Sequence, residues 1–228
     1  MNEYFVWNLH LLEPLICALE HQASPWIAPL IHGFFRQRRL RTETGRTIAM
    51  TLVARRSRHF AGTRYLRRGA NIQGNVANEV ETEQILCEED AGGSPPGGLI
   101  TSMVQVRGSI PLHWCHENLS MPKPDFLLWK QDKEFQAANL HFDNLITRYT
   151  EPVVVLNLIK QEETGRPKET LLFDEFTDAI RHLNMSLASN NIDRHIAARD
   201  VQGAGVADMG APPPMPTKRT MPLIYITF

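Results

Sequence analysis

The chain has 228 residues, 43% of them hydrophobic, and its 24 basic and 25 acidic side chains leave a formal net charge of −1. This balance excludes both a histone-like polycation and a polyanionic disordered chain. No apolar run approaches the roughly 20 residues of a membrane-spanning helix, and the first residues lack the basic region of a signal peptide. Three scattered cysteines are too few for a disulfide framework, so we expect a globular protein without a transmembrane segment in a reducing, cytosolic compartment.

The hydrophobic pattern predicts both helices and strands. Helical spacing of apolar residues predicts helices over 3–21 (interrupted by Pro14), 134–149 and 171–187. Alternating or continuous apolar runs predict strands over 47–56, 104–114 and 153–159, and a short strand or turn over 26–35. The strand over 47–56 is apolar on both faces, which is typical of a sheet covered on two sides. A buried strand between two helices indicates the α/β class, with a mixed sheet and packed helices.

Two segments have the composition of loops. Residues 90–98 are rich in glycine and proline and cannot bury a core. Residues 189–228 lose the hydrophobic period, and we expect an irregular, Pro/Gly-rich C-terminal tail. The last seven residues could add a strand, but the sequence shows no clear partner for it.

The charges are segregated along the chain. Residues 1–70 hold eleven arginines, no lysine and four glutamates, whereas residues 71–100 hold six acids and no base. Because the arginine fork binds phosphate oxygens bidentately, an arginine-only cluster favours phosphate or carboxylate recognition. A solvated basic face paired with the following acidic run is the alternative interpretation.

Motifs for nucleotide or metal chemistry are absent from the sequence. Neither GxxxxGK[ST] nor GxGxxG occurs. His113, Cys115 and His116 are close in sequence, but neighbouring residues of a strand point to opposite faces and no second ligand pair stands at a standard spacing. We therefore predict no metal and no cofactor. Acidic neighbours make Cys87 a poor nucleophile.

One long segment resembles a known family. Residues 55–84 read RRSRHFAGTRYLRRGANIQGNVANEVETEQ, and residues 105–114 read QVRGSIPLHW. Both are similar to segments of the Sac-domain phosphoinositide phosphatases, and the likeness extends over roughly residues 5–187. The resemblance implies an α/β fold that is part of a Sac catalytic domain. It also implies hydrolysis of phosphate monoesters of phosphatidylinositol phosphates.

The amino-acid sequence of the motif most resembles that of the family branch that acts on phosphatidylinositol 3,5-bisphosphate. This resemblance implies a cytosolic protein, peripheral to endosomal or vacuolar membranes, with phosphoinositide lipids as partners. A scaffold or lipid-kinase complex is a further partner that the family implies. A nucleic-acid partner is not expected, because the arginines stand in a longer mixed motif without an aromatic stacking pattern.

The motif supplies the candidate site residues. The candidates for headgroup contact are Arg55, Arg56, Arg64, Arg67 and Arg68. The candidates for a structural role are Gly62, Gly69, Asn78, Glu79, Glu81, Glu83 and Arg107. The glycines permit tight turns between the arginines. We expect the glutamates to orient Arg64, Arg67 and Arg68 through ion pairs. Ligand contact and a purely structural ion-pair network both remain open for these arginines.

The resemblance also implies a catalytic loop that this sequence lacks. Sac phosphatases attack phosphorus with the cysteine of a Cys-x5-Arg loop. The residues six positions after Cys17, Cys87 and Cys115 are Ala23, Gly93 and Met121, none of which is arginine. No catalytic residue is therefore assigned, and we expect the chain alone to be inactive.

The same resemblance implies that the chain has three segments. Residues 1–46 are a lead-in that joins a missing N-terminal subdomain, residues 47–188 are the front part of the catalytic domain, and residues 189–228 are the tail. A truncated phosphatase and a non-catalytic module that binds phosphoinositides or partner proteins remain as alternatives.

Overall fold

The computed structural model describes most of the chain between residues 3 and 227. The described ranges are 3–63, 66–89, 99–117, 126–129, 132–149, 152–161, 169–189, 196–200 and 223–227. The helices are α1 (Leu9–Leu19), α2 (Gln136–Tyr149) and α3 (Glu169–Ser189). The strands are β1 (Gly33–Arg41), β2 (Thr47–Arg56), β3 (Val80–Glu89), β4 (Ile100–Gly108), β5 (Trp114–His116), β6 (Phe126–Leu128), β7 (Val153–Asn157), β8 (Ile196–Asp200) and β9 (Leu223–Thr227).

Seven of these strands form one mixed sheet in the order β1-β2-β3-β4-β9-β7-β8. The first four strands pair antiparallel, and β9 then pairs parallel with both β4 and β7. β5 and β6 form a separate two-stranded antiparallel sheet. The mixed sheet with packed helices confirms the predicted α/β class.

The main core lies where α2 and α3 cover the centre of the sheet. Phe142 and Leu145 of α2, Phe176 of α3 and Val155 of β7 are all buried. Tyr225 of β9 is fully buried among them, and its hydroxyl donates to the Ser109 carbonyl at 2.8 Å. The helical spacing that predicted 134–149 and 171–187 thus corresponds to real apolar faces on α2 and α3.

The N-terminal part forms a small separate core. Val6, Leu9 and Leu12 are buried together, and α1 continues through Pro14 as one helix. The Trp7 indole donates to the Arg56 carbonyl at 3.0 Å, which attaches this segment to the end of β2. Residues 26–35, expected as one short strand or turn, instead contain the end of a 3₁₀ turn and the start of β1.

The predicted strand over 104–114 is too long at its C-terminal end. β4 begins at Ile100 and ends at Gly108, because the next amide, that of Ser109, donates to the Ala77 carbonyl at 3.2 Å. Pro111 has no amide hydrogen to continue a ladder. The alternation of apolar residues beyond Gly108 therefore belongs to a turn and to β5.

The tail contains one strand that the sequence pattern did not reveal and one that it only allowed. Ile196–Asp200 pairs with β7, and Leu223–Thr227 lies between β4 and β7 in the middle of the sheet. The last strand therefore does have partners, contrary to expectation. Residues 190–195, 201–222 and 228 of the predicted tail, and the predicted loop over 90–98, lie outside the described residues.

The antiparallel end of the sheet is less covered than predicted. β1 is exposed along its whole length, and every residue of β2 is only half-buried. The prediction of a sheet covered on both faces at 47–56 is therefore wrong in this structure, because α2 and α3 pack near β4, β9 and β7. β3, which carries Glu81 and Glu83, was also missed, since alternating acids conceal the strand.

Candidate phosphate-contact cleft

Several arginines of the 55–84 motif meet around a shallow cleft of about 200 Å³. The residues that line it are Arg56, Gly62, Arg67, Arg68, Ala77, Asn78, Val80 and Ser109. Arg64 lies outside the described residues. Three of the five predicted contact arginines therefore lie together at one site.

Arg56 organises one wall of the cleft. It is the last residue of β2, and its guanidinium donates to the Gly62 carbonyl at 2.8 Å and to the side-chain oxygen of Asn78. The Gly62 amide donates to the same Asn78 oxygen at 3.2 Å. Asn78 has a positive φ of 55°, which asparagine tolerates better than most residues. Arg56 and Asn78 thus hold the loop that carries the other arginines against the end of β2.

Gly69 places the loop against the turn that follows β4. Its φ is +67°, and a Cβ atom there would lie 2.4 Å from the Leu112 carbonyl oxygen. The Gly69 amide donates to the Ser109 hydroxyl at 2.9 Å. Only glycine fits this close backbone approach, which brings Arg68 next to Trp114.

Arg67 and Arg68 both lie over aromatic rings. The Arg67 guanidinium carbon lies 5.3 Å from the Phe60 ring centroid, and that of Arg68 lies 5.5 Å from the Trp114 ring centroid. The Arg68 Nε also donates to His116 Nε2 at 3.2 Å. These contacts fix the planes of the guanidinium groups. Within the described part of the chain no carboxylate forms an ion pair with Arg67, which is exposed.

Arg55 and Arg107 lie on opposite faces of the sheet. Arg55 is adjacent to Arg56 in a strand, so the two side chains point to opposite faces. Arg55 is bound by Glu81 and by Glu83, the latter at 2.9 Å. Arg107 is in register with Val80, which is in register with Arg56, so it lies on the cleft side of the sheet. Arg55 is therefore not brought to the cleft, whereas Arg107 lies two strands away from Arg56.

A buried polar network begins at Glu79, the residue that follows Asn78 of the cleft. Glu79 is fully buried and accepts from Arg148 Nη2 at 2.7 Å and from the Tyr4 hydroxyl at 3.2 Å. The Glu79 carbonyl accepts from the Ser57 amide at 2.9 Å. Tyr149 donates its hydroxyl to Glu81. Glu79 thus connects the motif to α2 and to the N-terminal segment.

Burial is the main cause of the pKa shifts in this network. Burial raises the pKa of Glu79, although the positive charge of Arg148 opposes the shift. Burial also raises the pKa values of Tyr4 and Tyr149 above the usual tyrosine range. His141, fully buried, has its pKa lowered to about 3, first by burial and then by Arg148. His141 Nδ1 lies 4.0 Å from Glu79, so this neutral histidine makes a polar contact rather than an ion pair.

The sequence interpretation missed the partners that α2 supplies. Arg148 and His141 are spaced by seven residues on the helix, with Leu145 between them, so all three share the face that meets the sheet. Polar residues on the apolar face of a predicted helix were the available indication. The ion pairs that the structure shows for Glu79, Glu81 and Glu83 are with Arg148 and Arg55, whereas the sequence predicted that these glutamates orient the loop arginines.

The thiols give no indication of a phosphate nucleophile. Cys17 is exposed and distant in sequence from the motif, and Cys87 and Cys115 are half-buried on strands. Burial and then the charge of Glu117 raise the pKa of the Cys115 thiol. A raised pKa lowers the thiolate fraction, so Cys115 is less reactive than a free cysteine.

The comparisons with known proteins assign the family. The family model described as SacI homology domain matches residues 1–202. The chain therefore belongs to the Sac-domain phosphoinositide phosphatase family. None of the helices in the described ranges is long and apolar enough to cross a membrane.

Individual relatives show how much of such a protein this chain represents. It is 46% identical over 191 residues to phosphatidylinositol-3-phosphatase SAC1 of Arabidopsis thaliana. The aligned region covers 83% of this chain and 20% of that relative. It is 45% identical over 204 residues to a polyphosphoinositide phosphatase of Schizosaccharomyces pombe, and the aligned region covers 86% of this chain and 24% of that relative. Phosphatidylinositol-3-phosphatase SAC1-B of Danio rerio is 34% identical over 168 residues, with 74% and 27% covered. The chain thus spans about a fifth to a quarter of the length of these relatives.

Breaking the Glu79–Arg148 pair is expected to destabilise the fold strongly. Glu79→Gln leaves the mostly buried Arg148 without its counter-charge, which costs about 3–5 kcal/mol. Glu83→Gln, in a more exposed pair with Arg55, costs about 1 kcal/mol or less. Urea unfolding at neutral pH measures both values. Combining Glu79→Gln with Arg148→Met should recover part of the loss, and equal costs for the two single variants would contradict the buried network.

His141 is expected to make stability depend on pH below neutrality. Its folded pKa of about 3 lies below the unfolded value of 6.5, so the unfolded chain takes up the proton first. Stability is therefore lost as the pH falls from about 6.5 toward 3, by about 2 kcal/mol at pH 5. The free energy of unfolding of the wild type and of His141→Gln, each measured at pH 7 and pH 5, isolates this contribution. An identical pH dependence in both proteins would show that His141 is not buried in its neutral form.

Proposed function

We propose that this chain is the front part of a Sac phosphatase that hydrolyses phosphate monoesters of phosphatidylinositol phosphates, with phosphatidylinositol 3,5-bisphosphate as substrate. In this proposal residues 47–188 belong to the catalytic domain and residues 1–46 lead into it. The name of the Schizosaccharomyces pombe relative, polyphosphoinositide phosphatase, supports a substrate with more than one phosphate. We further propose that the protein acts at endosomal or vacuolar membranes. A complex with a scaffold protein or a lipid kinase is its proposed assembly.

The observation that carries the proposal is the arginine cleft. Arg56 is held by Asn78 and the Gly62 carbonyl, and Arg67 and Arg68 lie over aromatic rings. Guanidinium groups fixed in this way lose little conformational freedom when they bind phosphate oxygens. Three cations around about 200 Å³ suit an inositol ring with several phosphates. We assign the cleft to headgroup contact, with Arg67 as the most exposed contributor.

The chain alone is proposed to bind phosphoinositide without hydrolysing it. No cysteine is followed six residues later by arginine, and burial raises the pKa of the Cys115 thiol. The described residues that line the cleft therefore supply positive charge and include no cysteine. A non-catalytic module that binds phosphoinositides or partner proteins is the second candidate, because the arginine cleft can bind a phosphorylated headgroup without hydrolysing it.

Removing the exposed arginine of the cleft should weaken headgroup binding. We expect Arg67→Ala to bind vesicles containing phosphatidylinositol 3,5-bisphosphate about tenfold more weakly, because a charge-assisted hydrogen-bond pair is lost. Arg67→Lys keeps the charge without the fork and should bind at an intermediate level. Arg181→Ala, which removes an exposed charge on α3, is the matched control. Vesicle sedimentation at equal surface charge, with phosphatidylserine in the reference vesicles, makes the measurement, and equal binding by Arg67→Ala and Arg181→Ala would refute the assignment.

Phosphate release separates the two candidate functions. Incubation of the purified 228-residue chain with phosphatidylinositol 3,5-bisphosphate should release no inorganic phosphate above the background of heat-denatured chain. Fusion to the remaining part of a relative that contains Cys-x5-Arg should restore release if the chain is part of a phosphatase. Turnover by the chain alone would refute the proposal that it lacks a nucleophile, whereas an inactive, well-folded fusion would favour the non-catalytic module.

A further inference from the structure

The free edge of the sheet combines positive charge with exposed apolar side chains. Among the described strands β1 is at one end of the sheet, and all nine of its residues are exposed. Residues 33–56 contain seven arginines and a single acid, Glu43. We call β1 together with residues 26–32 the basic edge. It lies outside the cleft described above.

The arginines of the basic edge are distributed along both faces of β1. Arg36 and Arg38 lie on one face, and Arg41 lies on the other, because side chains alternate along a strand. Among the described residues, no carboxylate forms an ion pair with these three arginines. Arg46, in the turn region after β1, pairs with Glu88 at 3.5 Å, but both side chains are exposed. The charges of Arg36, Arg38 and Arg41 are therefore not neutralised by ion pairs with the residues that the structure describes.

Large apolar side chains stand at the N-terminal end of the same edge. Phe35 is 69% exposed, Phe34 51% and Trp26 71%. Ile31, Phe34 and Phe35 line a shallow groove of about 300 Å³ together with Val53. Aromatic groups beside arginines are typical of surfaces that lie at the boundary between lipid headgroups and acyl chains.

Charge complementarity decides which partner fits this edge. A second copy of the chain would place arginines against arginines, and charged residues on an edge strand oppose the addition of another strand. A bilayer with anionic lipids is negatively charged over its whole surface and attracts basic side chains near it. Because β1 is exposed on both faces, arginines on either side of the strand can reach one flat surface. The unpaired backbone groups of the edge would remain in the hydrated headgroup layer, where water satisfies them.

We propose that the basic edge docks this protein on membranes rich in anionic lipids. Arg36, Arg38 and Arg41 contact the lipid headgroups, and Phe34, Phe35 and Trp26 enter the boundary layer. Docking depends on total surface charge and not on a particular phosphate position. It is therefore independent of headgroup recognition at the cleft and does not rest on the proposed function.

Removing two charges from the edge tests the proposal. We expect Arg36→Ala combined with Arg38→Ala to bind phosphatidylcholine vesicles containing phosphatidylserine about 30-fold more weakly, at about 1 kcal/mol for each arginine. Phe35→Ala should weaken binding to the same vesicles without changing the salt dependence. Lys133→Ala combined with Lys160→Ala removes equal charge from exposed positions elsewhere and should bind like the wild type. Circular dichroism and urea unfolding verify that each variant is folded.

Several outcomes would overturn the proposal. Equal vesicle binding by the Arg36/Arg38 variant and the wild type would show that the edge does not contact the membrane. An equal loss of binding in the Lys133/Lys160 variant would show that only the net charge of the protein matters. Tighter binding to single-stranded RNA than to the vesicles, lost in the same arginine variant, would assign the edge to nucleic acid instead. Arg67→Ala should retain binding to phosphatidylserine vesicles, so failure of the cleft assignment and failure of the edge assignment give different results.

Discussion

The buried ion pair between Glu79 and Arg148 joins the parts of the molecule that form the cleft. Glu79 ends the arginine-containing loop at the start of β3, Arg148 comes from the last turn of α2, and Tyr4 reaches the same carboxylate from the N-terminal segment. A carboxylate without solvent contact needs such partners, since an unpaired buried charge is strongly unfavourable. The position of the loop is thus tied to the position of the helix. The positions of Arg67 and Arg68 thus depend on this framework as well as on their own contacts.

The arginines of one motif serve two purposes because β-strand geometry separates them. Arg55 and Arg56 are neighbours in sequence, but only Arg56 lines the cleft, whereas Arg55 is bound by Glu81 and Glu83 on the other face. Arg67 and Arg68 follow Gly62 and precede Gly69, so the chain can fold back on itself and place them against Phe60 and Trp114. A dense cluster of like charges is tolerated here because carboxylates, carbonyl oxygens and aromatic rings are distributed around it.

The two ends of the sheet have different physical roles. β4, β9 and β7 lie under α2 and α3 and carry the buried core, including Tyr225. β1 and β2 extend from this core as a hairpin in which β1 is exposed and β2 is half-buried. The cleft lies between these two regions, at the end of β2 and next to the turn that follows β4. A membrane-docking edge and a headgroup cleft on one sheet would allow surface attachment and headgroup contact to act together.

The elements whose hydrophobic pattern is local could be predicted from the amino-acid sequence. The apolar stripes of α2 and α3 and the runs of β2 and β7 are read within one element, and the 55–84 motif was sufficient to identify the family and three of the cleft arginines. Tertiary structure alone decided that Leu223–Thr227 fills the gap between β4 and β7, because a parallel partner can be distant in the chain. It also decided that Glu79 binds Arg148 across 69 residues. Charge and spacing show that a carboxylate needs a partner, but only the packing of the helix on the sheet selects which cation it meets.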